Sequence, residues 1–201
     1  MAQDIAQVCY VCKSPELAIS IKSVGPLCAG CFIGVVERRV KKDVRLDHPF
    51  KKGERILAID DSSTKSRVML SLLDRCLGGL PIKLEIKKED IVSITSKDIE
   101  GFSKVLLPLS ADDQAEGFLS WLLGDDREDG HKDSQIQIIP FLACLLEEEI
   151  EAYAKAKCIK SSSKDPSPLR KDLLQFESRY PGLIHGLLKG ANGFKDASQR
   201  R

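Results

Sequence analysis

Two hydrophobic periods take turns along this chain. From Phe32 to about Arg45 the apolar residues Phe32, Val35, Val36 and Val40 share one helical face, and Glu37, Arg38, Arg39, Lys41 and Lys42 take the other. Pro49 and Gly53 break that helix. Arg55 to Ile59 is a short continuous apolar run, the mark of a strand buried on both faces. Met69, Leu72, Leu73 and Cys76 then form one face of a second helix, closed by Gly78-Gly79-Leu80-Pro81. IKLEI (82–86), DIVSI (90–94) and KVLLPL (104–109) read as strands. DDQAEGFLSWLLG (112–124) reads as a helix with Trp121 in the core. IQIIPF (136–141) reads as a strand running straight into a long helix over 142–158, on which Glu147, Glu148 and Glu149 face water. GDDREDGHKDS (124–134) is a solvated loop, IKSSSKDPSP (159–168) a linker, and LRKDLLQFESRY (169–180) a terminal helix. Strands alternating with helices predict an α/β domain with a mainly parallel sheet.

Bulk properties exclude more than they assign. The chain has 201 residues, long enough to bury a core without disulfide support. Its formal net charge is +1, so a nucleic-acid surface would have to come from local clustering. The densest basic group is Arg38, Arg39, Lys41 and Lys42, with Lys51 and Lys52 nearby; it reads either as a solvated face or as a phosphate-binding ridge. No apolar run approaches the roughly 20 residues of a membrane span. The opening MAQDIAQ lacks the pattern of a secretory leader, so a cytoplasmic location is expected.

Seven cysteines change the picture, because four form two CxxC pairs. Cys9-Tyr-Val-Cys12 and Cys28-Ala-Gly-Cys31 are separated by fifteen residues, a four-thiolate zinc knuckle spacing. ELAISIKS (16–23) supplies a hairpin arm that returns the second pair to the first. Four protein ligands leave no open coordination position, so the expected zinc is structural. Cys76 and Cys144 read as small buried hydrophobes, and Cys158 ends a helix with no base beside it. His48, His131 and His185 form no cluster with carboxylates, and no Ser/His/Asp or paired-carboxylate constellation stands out, so no catalytic residue is assigned.

GERILAIDDSSTKSRVMLSLL (53–73) reads as strand, polar loop and helix, the arrangement that seats a phosphate on a helix N-terminus. It fails the Walker pattern. It aligns with the S-G-G-x-D-S loop of PP-loop ATP pyrophosphatases, placed as Asp61-Ser62-Ser63-Thr64-Lys65-Ser66. Both glycines are serine, the first Ser is Asp and the Asp is Lys. Asp60 and Asp61 would set carboxylates against a pyrophosphate. The plain alternative is an N-cap with no ligand.

The order of these features resembles the cytoplasmic tRNA 2-thiolation protein 2 family. The resemblance rests on CYVCK…LCAGCFIGVVERRVKK followed by GERILAIDDSSTKSRVMLSLL. The family's H-K-F-R positions are Arg38, Arg39, Val40 and Lys41. Its R-P-L-R…E-I-x-x-Y segment resembles QIIPFLACLLEEEIEAYA, with Pro140, Glu149, Ile150 and Tyr153 retained and Ile139 and Leu142 in place of the arginines. Its C-terminal stretch is similar around Pro181, whereas the middle is shorter and a second cysteine cluster is missing. The resemblance implies a degenerate PP-loop-like α/β domain over 46–201, with helices on both faces of the sheet, and a zinc knuckle with a basic helix over 1–45. It implies a noncatalytic subunit, without ATP turnover, of the complex that 2-thiolates the wobble uridine of cytosolic tRNAs. The expected partners are a PP-loop catalytic paralogue, tRNA and a ubiquitin-like thiocarboxylate carrier. The rival readings are an active ATP-dependent tRNA sulfurtransferase and a zinc-knuckle adaptor unrelated to RNA.

Overall fold

The computed structural model describes residues 8–15, 19–21, 24–47, 50–124, 136–162 and 166–199, with side chains through 191. His48, His131 and most of the 124–134 loop lie outside these residues. Two short strands, β1 (Ile19–Ile21) and β2 (Gly25–Leu27), pair antiparallel between the cysteine pairs, as the hairpin arm requires. Helix α1 (Ala29–Asp47) follows. β3 (Arg55–Asp60), β4 (Lys83–Lys88), β5 (Lys104–Ser110) and β6 (Gln137–Leu142) form a four-stranded sheet, ordered β4-β3-β5-β6 and parallel throughout.

Period-two alternation sorts this sheet onto two cores. Ile56 and Ala58 on β3, Leu106 on β5 and Ile139 and Phe141 on β6 join α1, α2 (Thr64–Leu77) and α4 (Glu147–Ala156) in the main cluster. Leu57, Ile59 and Val105 point to the opposite face and pack with Ile99. Helices α3 (Ala111–Leu122), α5 (Pro168–Arg179) and α6 (Leu183–Gln199) meet around Ala111, Ala115, Leu146, Leu173 and Ile184. The cysteine module is not separate from this packing. Cys9, Leu27 and Phe32 belong to the main cluster together with Ile56 and Phe141.

Four expectations are corrected. DIVSI is no strand but a 3-10 turn at Ile91–Ser93, capped by Asp90; it partly covers the far face of the sheet and leaves Val92 90% exposed. The helix expected from 142 begins only at Glu147. Leu142 still pairs with Ser110 in the sheet, and the Glu149 carboxylate turns back to accept the Leu146 amide at 3.0 Å, which fixes the helix start there. Trp121 is not core: it lies 51% exposed at the end of α3, stacked on Phe118. Glu149 is fully buried rather than wet. Helix α6 was not legible, since Gly186, Gly190 and Gly193 argue against helix. Burial of Ile184 against α3, with Leu183, Leu187 and Leu188 packed alongside, outweighs their propensities.

Candidate functional site

The first site is the cysteine cluster. Cys9 N–H donates to the Ser14 carbonyl at 2.8 Å and Lys13 N–H to the Cys9 carbonyl at 2.8 Å, closing a tight turn that presents Cys9 and Cys12. The Tyr10 amide bonds the Pro26 carbonyl and ties that turn to β2, while Cys28 and Cys31 flank the start of α1. All four sulfurs lie within 4.8 Å of one another, and Cys12 Sγ and Cys28 Sγ are 3.6 Å apart. A tetrahedral ion with metal–sulfur bonds of about 2.3 Å sets its sulfurs about 3.8 Å apart. Thiolates on a four-iron cluster bind separate irons and stand much farther apart. The cluster can therefore hold a metal, and its spacing fits a single ion.

The electrostatics agree. Backbone amides of Cys12, Cys28 and Val11 pull the Cys9 thiol down to about 6, whereas contact with Cys28 and burial push Cys31 up to about 12. Four thiols this close cannot all ionise unless a cation compensates them. Cys76 is buried, Cys144 half-buried and Cys158 exposed at a φ of +54°.

The second site lies where the strand order reverses. The chain passes from β3 to β4 on one side and returns with β5 on the other, which opens a crevice at the carboxyl ends of β3 and β5. The Asp61–Ser66 loop sits there, beside a pocket of about 200 Å³. Ser62 adopts a φ of +62°, the left-handed conformation that glycine fills without strain. The loop keeps a phosphate loop's shape, but three of its amides are already engaged by side chains. The Ser62 amide donates to Asp60 Oδ1 at 2.9 Å and the Ser63 amide to Asp61 Oδ1 at 3.0 Å. The Ser66 amide donates to the Ser63 side chain, which caps α2 as the sequence suggested, and the Ser66 hydroxyl donates to Asp60 at 2.7 Å. The carboxylates of Asp60 and Asp61 thus take two loop amides and a hydroxyl that would otherwise face a bound phosphate.

Around the loop the charges are inverted for an anion. Asp61, Asp113, Glu147 and Glu151 line the pocket against Lys65, the one cation lining it among the described residues. Lys65 Nζ is itself clamped, 2.7 and 2.8 Å from the two Asp113 oxygens and 3.3 Å from Glu147. Burial alone would raise Asp113, but Lys65 and the Ser110 amide hold it below the usual carboxylate range. Arg170, its side chain 6% exposed, reaches in from the first turn of α5 to Asp113 and, at 2.8 Å, to Glu116. The linker is no free tether either. The Ser162 amide bonds Thr64 Oγ1 at 2.8 Å, and Arg67 donates to the Lys160 carbonyl at 2.8 Å, which draws residues 160–162 across the start of α2. Asp113, Glu147 and Arg170 are not singled out as site residues by the sequence, and the fold brings them to this site. One signal was present: the pair Asp112-Asp113 directly follows a parallel strand's carboxyl end, where such folds bind ligands.

The basic helix is only partly a free ridge. Arg39 Nη1 lies 2.9 and 2.8 Å from the two oxygens of Glu149 and also donates to the Cys144 carbonyl. Arg38 and Lys42 are exposed, Lys41 is half-buried, and Arg45 falls on the exposed face that Arg38 and Lys42 define, at i, i+4 and i+7.

Neither the models of known protein families nor the curated proteins contain a match to this sequence. Its architecture, a parallel α/β sheet with flanking helices, a loop at the switch point and an N-terminal cysteine cluster, does have solved counterparts. One such structure is the U34-tRNA thiolase NcsA from Methanococcus maripaludis with its 4Fe-4S cluster. The two superpose with a TM-score of 0.71 over 94% of this chain and 87% of that one, at 17% sequence identity. An identity that low establishes a shared fold.

Proposed function

We propose that this chain is a noncatalytic subunit of a complex that 2-thiolates the wobble uridine of cytosolic tRNAs. It pairs with a PP-loop paralogue that carries the chemistry, and one structural zinc sits in the Cys9, Cys12, Cys28 and Cys31 cluster. The fold it shares with a U34-tRNA thiolase supports the pathway, as does the order of motifs in the sequence. The observation that carries the noncatalytic role is the loop. Asp60 and Asp61 hold the Ser62 and Ser63 amides and carboxylates line the pocket, which disfavours a pyrophosphate there. The paralogue would activate the uridine and take sulfur from a ubiquitin-like thiocarboxylate carrier, and this chain would contribute part of the tRNA surface from Arg38, Lys41 and Lys42.

The test is affinity purification of the full chain from its own cells, followed by tRNA nucleoside analysis after its deletion. Co-purification of a PP-loop paralogue and loss of 2-thiouridine are expected. Unchanged 2-thiouridine would remove the reading. Pyrophosphate release by the purified chain, abolished by Ser66→Ala, would replace it with the enzyme reading.

A further inference from the structure

We infer that Tyr10, together with Lys13, is a stacking platform for an unpaired nucleobase of the RNA; the inference rests on the functional reading above and assigns it a contact. Tyr10 lies between two metal-ligating cysteines and is 69% exposed. It is more exposed than the other open aromatic rings, Trp121, Phe176 and Tyr180, whereas Phe32, Phe141 and Tyr153 are wholly inaccessible. The turn around Tyr10 is fixed at both ends, by the Cys9–Ser14 and Lys13–Cys9 backbone bonds and by the tie from Tyr10 to Pro26. A ring held out to solvent on so rigid a turn loses little freedom when something stacks on it.

The surroundings indicate what that partner is. Val8 and Val11, close to Tyr10 in the chain, are also exposed and apolar. Lys13 takes a φ of +62°, and its ammonium lies 5.7 Å from the Tyr10 ring centroid. No acidic residue occurs between 8 and 15. An aromatic ring with a cation over one face leaves its other face for a base and sets a positive charge close by for the adjoining phosphate, the recurring solution for single-stranded nucleic acid. The exposed cations Arg38, Lys42 and Arg45 on the helix that leaves this same module extend the surface for a polyanion.

The experiment uses the full, metal-loaded chain with two probes, an unmodified tRNA transcript and a short single-stranded RNA, titrated at several salt concentrations. Tyr10→Ala and Tyr10→Leu are expected to weaken binding roughly tenfold with the salt dependence unchanged, because stacking is lost and no charge is removed. Tyr10→Trp should bind at least as well as wild type, and metal analysis should find every variant loaded. Wild-type affinity in a loaded Tyr10→Leu chain overturns the inference and leaves the functional reading standing. So does loss of paralogue capture with RNA affinity intact, which would make the patch a protein contact. A wild-type chain that binds neither probe, alone or with the paralogue, overturns both.

Discussion

Arg39 and Glu149 stand 110 positions apart and meet with both carboxylate oxygens within 2.9 Å of one guanidinium nitrogen. Glu149 has no access to water, and Arg39 is about a third exposed. Next to this pair, the Tyr153 hydroxyl donates to Glu37 at 3.2 Å, so α1 and α4 are joined by two polar contacts. Truncating Arg39 strands a buried carboxylate. Arg39→Ala should therefore cost about 3–5 kcal/mol in urea unfolding. Arg38→Ala, one position along, should stay within about 0.5 kcal/mol. Equal losses would show that Glu149 tolerates its charge unpaired.

The cysteine cluster should bind one equivalent of metal. Apparent binding energies for structural zinc in small modules are about 10–16 kcal/mol, so chelation should melt residues 8–47 and loosen the sheet they pack on. Elemental analysis and amide exchange with and without a chelator check this. Zinc is the expected ion, and an absorbance spectrum typical of iron–sulfur clusters would contradict it.

The loop should not bind ATP productively even when repaired. Ser-Gly-Gly at positions 61–63 restores the backbone but leaves Asp60 holding the residue 62 amide and Asp113, Glu147 and Glu151 lining the pocket. Pyrophosphate release should remain at background in the triple variant. Turnover in that variant would show that glycine alone was missing.

Asp113 ties part of the fold's stability to its charge. Its folded pKa lies below the unfolded value, so its contribution is present above about pH 4 and is lost as pH falls through the folded value. The stability gap between wild type and Asp113→Asn should be constant near neutrality and shrink below about pH 4. A gap that stays constant through that acid range would count against the assignment.

Reversing Arg38, Lys42 and Arg45 should weaken binding of all tRNAs alike. Each lost phosphate contact removes about 0.7–0.9 from the salt slope, so three remove about 2–3. Such contacts position RNA without reading bases, and subunit pairing should survive. Unaltered affinity and slope would mark this face as merely solvated.

Legibility in the sequence followed the range of the forces involved. The cysteine cluster, the β3-loop-α2 unit and the alternation of the parallel sheet are set by spacing over a few residues, and the chain shows them directly. Glu149 looked wet because its neighbours Glu147 and Glu148 are charged and its partner is remote. Arg170 resembled any surface arginine until α5 packed onto α3. Trp121 erred the other way: helical periodicity placed it inward, but α3 turns that face outward near its end. The Ser62 and Ser63 amides were open in sequence terms, and only the fold shows which carboxylates take them.

The shared packing of the knuckle and the sheet has a consequence for the chain's supply in the cell. Cys9, Leu27 and Phe32 sit in the same apolar cluster as Ile56 and Phe141, so losing the ion would open the main core as well as a peripheral tab. Metal scarcity would then act on abundance before it acted on any interaction, because unloaded copies would enter the pool that proteases clear. The amount of this protein would track the available ion, and with it the number of complexes that could assemble.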